Sequence, residues 1–247
     1  MMMLLPPRSK QVIACFIVAI FLLEIRNGYF KRLPAYLKSC DYKSLLLFVG
    51  GALVVALCIM PADTVLLKTV QQFEGQNWHK QIMDWAMWLV KNIWILLIFA
   101  YLLSALTRIR VLPRLIFSAI FSNVVVGLLT TIFKFGFARA RPDKGMGPYS
   151  FFNWAQVKVG YYQSFSSGDA AMLAAIMVFF FYTLRRLPFR AVFLLLPAIV
   201  AYARVGLNRH WPSDVILSMG LGLAAAHWVA GYYRFDEPVK IPAGARR

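Results

Sequence analysis

Residues 115–133 read LIFSAIFSNVVVGLLTTIF, an apolar run with no charged side chain between Arg114 and Lys134. A run of this length approaches the roughly 20 residues that an α-helix needs to cross the hydrocarbon core of a bilayer. Within lipid only a helix satisfies the backbone amides of such a run, because an open strand would leave them unpaired. The run therefore predicts a membrane-spanning helix.

Similar runs recur along the chain, and hydrophobic residues make up 60% of its 247 residues. This composition excludes a water-soluble domain. The sequence predicts an all-α, six-helix integral membrane bundle. Its six crossings are expected within residues 45–60, 93–107, 115–133, 170–184, 191–203 and 215–230.

The loops between the runs are short and leave no room for a separate soluble module. We therefore expect one membrane-embedded domain over residues 1–247. It divides into a cytoplasmic or interfacial segment at 1–43, a six-span core at 44–232 and a cytoplasmic tail at 233–247.

Basic residues in the loops set the orientation of the crossings. Arg108, Arg110 and Arg114 lie between the second and third runs, and 185–190 supplies three more arginines between the fourth and fifth. By the positive-inside rule these two loops face the cytoplasm. Both ends of the chain are also basic, which agrees with an even number of crossings.

Two apolar segments are expected to lie at the interface. Residues 12–23 are followed by charged residues and not by a cleavage site, which predicts an additional N-terminal interfacial or re-entrant helix and not a signal peptide. Residues 61–92 mix polar and apolar residues and carry Trp78, Trp85 and Trp88, which predicts an external interfacial helix with aromatic anchors.

The net charge of +17 comes from basic residues scattered among the loops. That distribution favours anionic lipids as partners over nucleic acid. Cys15, Cys40 and Cys58 show no metal-type spacing, so neither a metal nor a disulfide framework is predicted. No cofactor is expected.

One basic cluster breaks the positive-inside pattern. Its members follow the third run, on the side expected to be poor in positive charge: Lys134, Arg139, Arg141 and Lys144. Two polar clusters fall on the same side. The first is Ser166, Ser167, Gly168 and Asp169, and the second is Arg204, Asn208, Arg209, His210 and Asp214. Taken alone, the basic cluster could be a patch for lipid headgroups; three converging clusters favour an anion site.

The residue types in these clusters suit phosphoryl transfer, in which fixed donors must meet the charge on the phosphoryl oxygens. Lys134, Arg141 and Arg204 supply cations. Gly168, at the predicted start of the fourth span, allows an oxygen to approach backbone amides closely, and Ser167 is a helix N-cap, a phosphate ligand, or both.

His210 precedes a helix start marked by Pro212, and Asp214 follows in the first turn. A carboxylate there can hold one imidazole nitrogen while the other attacks phosphorus. His79 and His227 lie beside apolar runs and are expected to be interfacial hydrogen bonders.

The spacing of these residues closely resembles the three-part signature of the type 2 phosphatidic acid phosphatase family. Lys134 is followed after six residues by Arg141 and Pro142; Ser167 and Gly168 come next; then Arg204, His210 and Asp214 appear, separated by five and three residues. The resemblance covers residues 134–214, and the six-helix plan extends it to most of the chain.

This resemblance implies a metal-independent phosphatase acting on lipids. It makes His210 the nucleophile that forms a phosphohistidine and Asp214 its charge-relay partner. The implied phosphate ligands are Lys134, Arg141, Ser167, Gly168 and Arg204. The implied substrates are phosphatidic acid, phosphatidylglycerol phosphate, undecaprenyl diphosphate and the phosphates of lipid A.

Asp169 departs from the family pattern, since a histidine that protonates the leaving group usually follows the glycine. Ala203 similarly replaces a serine, and Ser166 a proline. Glycine followed by aspartate is similar to some lipid A 4'-phosphatases, which favours that substrate and makes Asp169 a catalytic candidate. Free aspartic acid is a weak proton donor at neutral pH, so undecaprenyl diphosphate, whose leaving phosphate hardly needs a proton, remains an alternative.

Other functions are compatible with the same residues. A lipid phosphotransferase would share the covalent intermediate. An anion transporter or channel would need polar groups deep within the spans, and these runs are nearly free of charge. If lipid A is the substrate, the protein is expected in a bacterial inner membrane, with both termini cytoplasmic and the active site periplasmic.

Overall fold

The computed structural model describes residues 7–40, 42–106, 111–184 and 192–236. Every regular element in these ranges is helical, so the predicted all-α class is confirmed. The α-helices are α1 Pro7–Arg26, α2 Leu33–Ser39, α3 Tyr42–Ile59, α4 Asp63–Gln71, α5 Asn77–Ala105, α6 Val111–Phe137, α7 Gly168–Thr183, α8 Val192–Gly206 and α9 Pro212–Asp236. Short 3-10 helices occupy Tyr29–Arg32, Met60–Ala62, Pro142–Lys144, Trp154–Gln156 and Gly160–Tyr162.

The six predicted crossings fall on α3, α5, α6, α7, α8 and α9. Four segments are long and apolar enough for a full crossing: Leu45–Gln71, Asn77–Ala105, Leu112–Lys144 and Pro212–Arg234. The apolar helices α7 and α8 are shorter, at 16 and 15 residues. The chain is therefore a multi-pass membrane protein in which six is an approximate count of crossings.

The N-terminal segment forms a bent pair of helices. Gln11–Arg26 and Tyr29–Ser39 meet at 63°, the geometry of a broken span or a re-entrant loop. The hydroxyl of Tyr36 on α2 donates to the carbonyl of Trp228 on α9 at 2.8 Å, and Tyr29 contacts Ser118 on α6 at 2.7 Å. These hydrogen bonds attach the N-terminal segment to the bundle.

Several residues used to predict the orientation lie outside the described residues: Arg108, Arg110, the arginines within 185–190 and the tail beyond residue 236.

One predicted boundary is wrong. Residues 77–92 were expected to lie in an interfacial helix, but they form the first half of the continuous 29-residue helix α5. This stretch contains no proline or glycine, so nothing interrupts the helix before the apolar run begins. At 1.5 Å per residue α5 is about 43 Å long, longer than the roughly 30 Å hydrocarbon core.

Helices α7 and α9 form the centre of the bundle and approach each other closely. A Cβ on Gly222 of α9 would lie 2.5 Å from the Cβ of Ala174 and 2.7 Å from the carbonyl oxygen of Ala171, both on α7. Small residues at membrane helix interfaces allow such close backbone packing. Because α7 and α9 both begin at the polar clusters, this contact fixes the two halves of the site relative to each other.

Candidate active site

The three polar clusters meet at one end of the bundle. Lys134 lies near the end of α6, Ser167 and Asp169 at the start of α7, Arg204 near the end of α8, and His210 in the turn before α9. The Lys134 ammonium lies 3.1 Å from the position of a Cβ on Gly168. A side chain at position 168 would therefore require the ammonium to shift by a few tenths of an ångström.

A tight turn positions His210. Asn208 adopts a left-handed φ of 54°, a conformation that asparagine tolerates better than most residues. Its side-chain oxygen accepts a 2.7 Å hydrogen bond from Gln71 of α4. The turn is thus held from outside the α8–α9 hairpin, and it directs His210 into the protein, where only 2% of the residue is exposed.

The imidazole of His210 is oriented by a main-chain group. Its Nδ1–H donates to the carbonyl oxygen of Ser164 at 2.8 Å, which leaves the lone pair on Nε2. Burial lowers the pKa of His210 well below its usual 6.5, and the positive charges of Arg204, Arg141 and Lys134 lower it further. The ring is therefore neutral and nucleophilic near neutral pH.

Asp214 does not bond directly to His210. Its Oδ2 lies 3.9 Å from His210 Nδ1, beyond hydrogen-bond range. The same oxygen accepts a short hydrogen bond from the hydroxyl of Ser164 and a 2.9 Å bond from the backbone amide of Trp211. Ser164 thus links the two residues, since its hydroxyl meets Asp214 and its carbonyl meets His210.

Several buried donors around this histidine have no hydrogen-bond partner among the described residues. They are Nε of Arg141, Nε of Arg204 and the hydroxyls of Ser166 and Ser167. Ser167 occupies the N-cap position of α7, but its side chain makes no capping bond. Buried polar groups are normally satisfied, and Arg141 and Arg204 are close enough to His210 for their charges to lower its pKa. The unsatisfied donors therefore indicate an anion site beside this histidine.

Asp169 forms an ion pair within this site. Its Oδ2 lies 3.1 Å from NH1 of Arg204, and both side chains are largely buried. The same guanidinium nitrogen lies 3.5 Å from the sulfur of Met87 on α5. Asp169 therefore helps to orient Arg204, a role that sequence reasoning did not assign to it.

Two members of the basic cluster have other partners. Arg139 is fully buried and pairs with the carboxylates of Asp63 and Asp214. Lys144 lies over the ring of Tyr161, with 3.8 Å between Nζ and the ring centroid. At the rim, Arg209 lies 3.7 Å from Asp143.

Sequence reasoning missed Asp63, Ser164 and Ser213. The only available signal was an aspartate, Asp63, directly after the apolar run that ends at Met60, and nothing in the sequence connected it with Arg139, 76 residues later. Among the described residues, no group of three or more histidine, cysteine, aspartate or glutamate side chains is arranged to hold a metal ion.

The protonation state of His210 can be observed directly. With ring-¹⁵N-labelled histidine, nitrogen NMR at pH 6 is expected to show the neutral Nδ1–H form of this residue, because burial and three cations disfavour the imidazolium. The His210→Asn spectrum assigns the signal. Two protonated ring nitrogens at pH 6 would contradict this electrostatic description.

A family model, described as the PAP2 superfamily, matches residues 115–237. The chain belongs to the PAP2 superfamily. The match begins in α6 and ends beyond α9, so it contains the three polar clusters but not α4 or Asp63. No curated protein and no solved structure matches the chain. The type 2 phosphatidic acid phosphatase resemblance is confirmed, and with it a membrane phosphatase in general terms.

Proposed function

We propose that this PAP2 protein removes a phosphate group from a membrane lipid through a phosphohistidine at His210. The observation that carries the proposal is the set of unsatisfied donors on Arg141, Arg204, Ser166 and Ser167 beside a neutral, oriented imidazole. Donors fixed in advance around a phosphoryl group are the main catalytic requirement of this reaction.

The reaction has two steps. The lone pair on His210 Nε2 attacks phosphorus, and the bond from phosphorus to the leaving oxygen breaks as the phosphorus–nitrogen bond forms. The leaving oxygen departs with the bonding electrons and takes up a proton. Water then attacks the phosphohistidine and loses a proton to the solvent. The phosphorus–nitrogen bond breaks, inorganic phosphate leaves, and Nε2 regains its lone pair. Lys134, Arg141 and Arg204 stabilise the phosphoryl oxygens in both steps, while Asp214 stabilises the positive charge that develops on the imidazole.

The short helix α7 supports a lipid substrate. Its 16 residues are about 24 Å long, so its N-terminal end lies below the surface of a roughly 30 Å hydrocarbon core when its other end reaches the opposite interface. That depth suits a phosphate attached to a lipid better than a soluble phosphate ester.

We take a lipid A phosphate as the first candidate substrate, from the glycine–aspartate pair at positions 168 and 169. The Asp169–Arg204 ion pair favours a second candidate, undecaprenyl diphosphate. An ionised carboxylate has no proton to give, and a departing phosphate hardly needs one, whereas a sugar alkoxide does. Phosphatidylglycerol phosphate is the third candidate.

The function is tested by phosphate release from these three lipids, each presented in detergent to the purified protein. Release from at least one of them, unchanged in EDTA, is the expected result. Transfer of label to a second lipid without release would identify a phosphotransferase. Activity lost in EDTA and restored by magnesium or zinc would contradict the metal-free mechanism.

Asp169→Asn distinguishes the two leaving groups. If Asp169 acquires a proton from the bound phosphate and passes it on, the change should slow lipid A hydrolysis about a hundredfold, the scale of general acid catalysis. With undecaprenyl diphosphate we expect less than a tenfold loss. Equal losses on both lipids would show that Asp169 acts only through Arg204.

We also propose that the site faces away from the cytoplasm, because the basic loops near 108–114 and 185–190 mark the other side. In a background without native cysteines, a cysteine replacing the exposed Lys144 should react with an impermeant thiol reagent in intact spheroplasts. Reaction only after lysis would reverse the orientation.

A further inference from the structure

A buried charge network lies directly behind the proposed catalytic pair. The guanidinium of Arg139 donates to Asp214 Oδ1 at 2.5 Å, to Asp63 Oδ2 at 2.6 Å and to the hydroxyl of Ser213 at 2.8 Å. It also donates to the carbonyl oxygen of Pro148. Arg139, Asp63 and Asp214 are all fully buried. One guanidinium therefore pairs with two carboxylates, and the three side chains together have one net negative charge.

Helix α4 holds the catalytic turn at both of its ends. At the start of α4, Asp63 accepts bonds from the backbone amide of Ser213 at 2.8 Å and from its hydroxyl at 2.5 Å. At the end of α4, Gln71 donates to Asn208. Between them Leu67 packs in an apolar cluster that includes Trp211 and Val215. The segment that carries His210 is thus fixed from outside the region matched by the family model.

We propose that Asp63 is a positioning residue for phosphoryl transfer, which pairs with Arg139 so that the network behind His210 has a net negative charge and the carboxylate of Asp214 is held in place. The inference rests on the proposed function of His210 as the nucleophile. As Nε2 attacks phosphorus, the ring becomes positive, and Asp214 lies 3.9 Å from Nδ1. A charge at that distance in a buried site stabilises the imidazolium strongly.

The net negative charge of Arg139, Asp63 and Asp214 together is the essential feature of this proposal. If Arg139 faced Asp214 alone, the pair would be neutral, and its field at the imidazole would be weak. With Asp63 on the other side of the guanidinium, the network as a whole remains negative. The effect concerns the transition state and not the phosphate ligands, so kcat should respond and KM should not.

Asp63→Asn removes the charge but keeps the shape of the side chain. We expect kcat to fall about tenfold to a hundredfold, the range of coupling within one buried network, with KM changed less than twofold. Leu67→Ala loosens the packing of α4 on Trp211 but keeps the charge of Asp63, so it should lower thermal stability and lower kcat less than Asp63→Asn does. Glu74→Gln, which neutralises an exposed carboxylate just beyond α4, is the charge control and should leave kcat within twofold. Equal kcat losses in Asp63→Asn and Leu67→Ala would show that Asp63 only docks α4.

A double variant tests the charge itself. Asp63→Asn combined with Arg139→Gln leaves Asp214 with its bonds to Ser164 and Trp211. Because burial raises the pKa of Asp214 and Arg139 lowers it, this variant is measured above neutral pH, where Asp214 has its own negative charge. We expect this double variant to recover kcat to within about fivefold of the wild type, above Asp63→Asn alone. The proposal would be overturned if the folded double variant had a kcat no higher than that of the slower of the two single variants, Asp63→Asn and Arg139→Gln.

His210→Ala, measured in the same preparation, separates this inference from the proposed function. If that variant keeps its activity, the nucleophile assignment fails, whatever the Asp63 series shows. If it is inactive and Asp63→Asn has a wild-type kcat, the inference about Asp63 alone fails.

Discussion

His210→Ala is expected to lower turnover of the best lipid substrate by at least about ten-thousandfold while the protein remains folded and in the membrane. Removal of a covalent nucleophile leaves only the contribution of binding and fixed donors, and losses of this size or larger are usual for such groups. The residue is 2% exposed, and its ring makes one hydrogen bond among the described residues, to Ser164, so the substitution leaves a small cavity and no buried charge. The measurement is initial-rate phosphate release, with thermal stability recorded alongside.

His227→Ala provides the matched control. This exposed histidine lies on α9 and contacts the rings of Phe48 and Tyr182, far along the helix from Pro212. Its loss should change turnover less than twofold. If His210→Ala keeps more than a few per cent of wild-type activity, covalent catalysis by this residue is excluded.

Arg204→Met is expected to have the second-largest effect, a loss of about a thousandfold in kcat/KM. Arg204 carries a buried unsatisfied Nε and lies beside Asp169, so the substitution removes a cationic phosphate donor and leaves a buried carboxylate without its observed 3.1 Å ion-pair partner. Loss of one fixed donor costs about a hundredfold to a thousandfold, and the negative charge of Asp169, no longer paired with Arg204, repels the substrate as well.

The double variant Asp169→Asn, Arg204→Met separates these two contributions. With the carboxylate neutralised, we expect activity to rise above that of Arg204→Met but to remain at least about a hundredfold below the wild type, because the donor is still absent. Full recovery would mean that Arg204 only neutralises Asp169. Lys158→Met, which removes an exposed cation from the segment between α6 and α7, should change kcat/KM less than threefold.

The membrane architecture could be predicted from the sequence because lipid forces each apolar run to become a helix. Within the described residues each predicted run lies mostly on one helix, and the helices that carry the site begin or end at its polar clusters. Helix boundaries could not be predicted as well. The continuity of α5 from Asn77 depends on the absence of a helix breaker, whereas the prediction placed a boundary at the change in polarity near residue 93.

The site could be predicted as a set of residues but not as a set of bonds. Ordered spacing brought Lys134, Gly168 and His210 to one end of the bundle. His210 donates a hydrogen bond to the backbone carbonyl of Ser164. Every residue has a backbone carbonyl, so no sequence pattern identifies this partner. The sequence shows Arg139 only as one member of the basic cluster after the third run. Its pairing with Asp63 depends on how α4 packs against α9, which the sequence does not show.

Rapid-quench trapping of the phosphoenzyme tests the nucleophilic role of His210 most directly. The wild-type protein is mixed with phosphate-labelled lipid, quenched in alkaline detergent within the first turnover, and digested for mass spectrometry. Phosphohistidine is stable in base and labile in acid, so label is expected on the peptide that contains His210, and no label in His210→Ala. Product formed throughout the first turnover with no label on His210, or label on another residue that persists in His210→Ala, would contradict the mechanism.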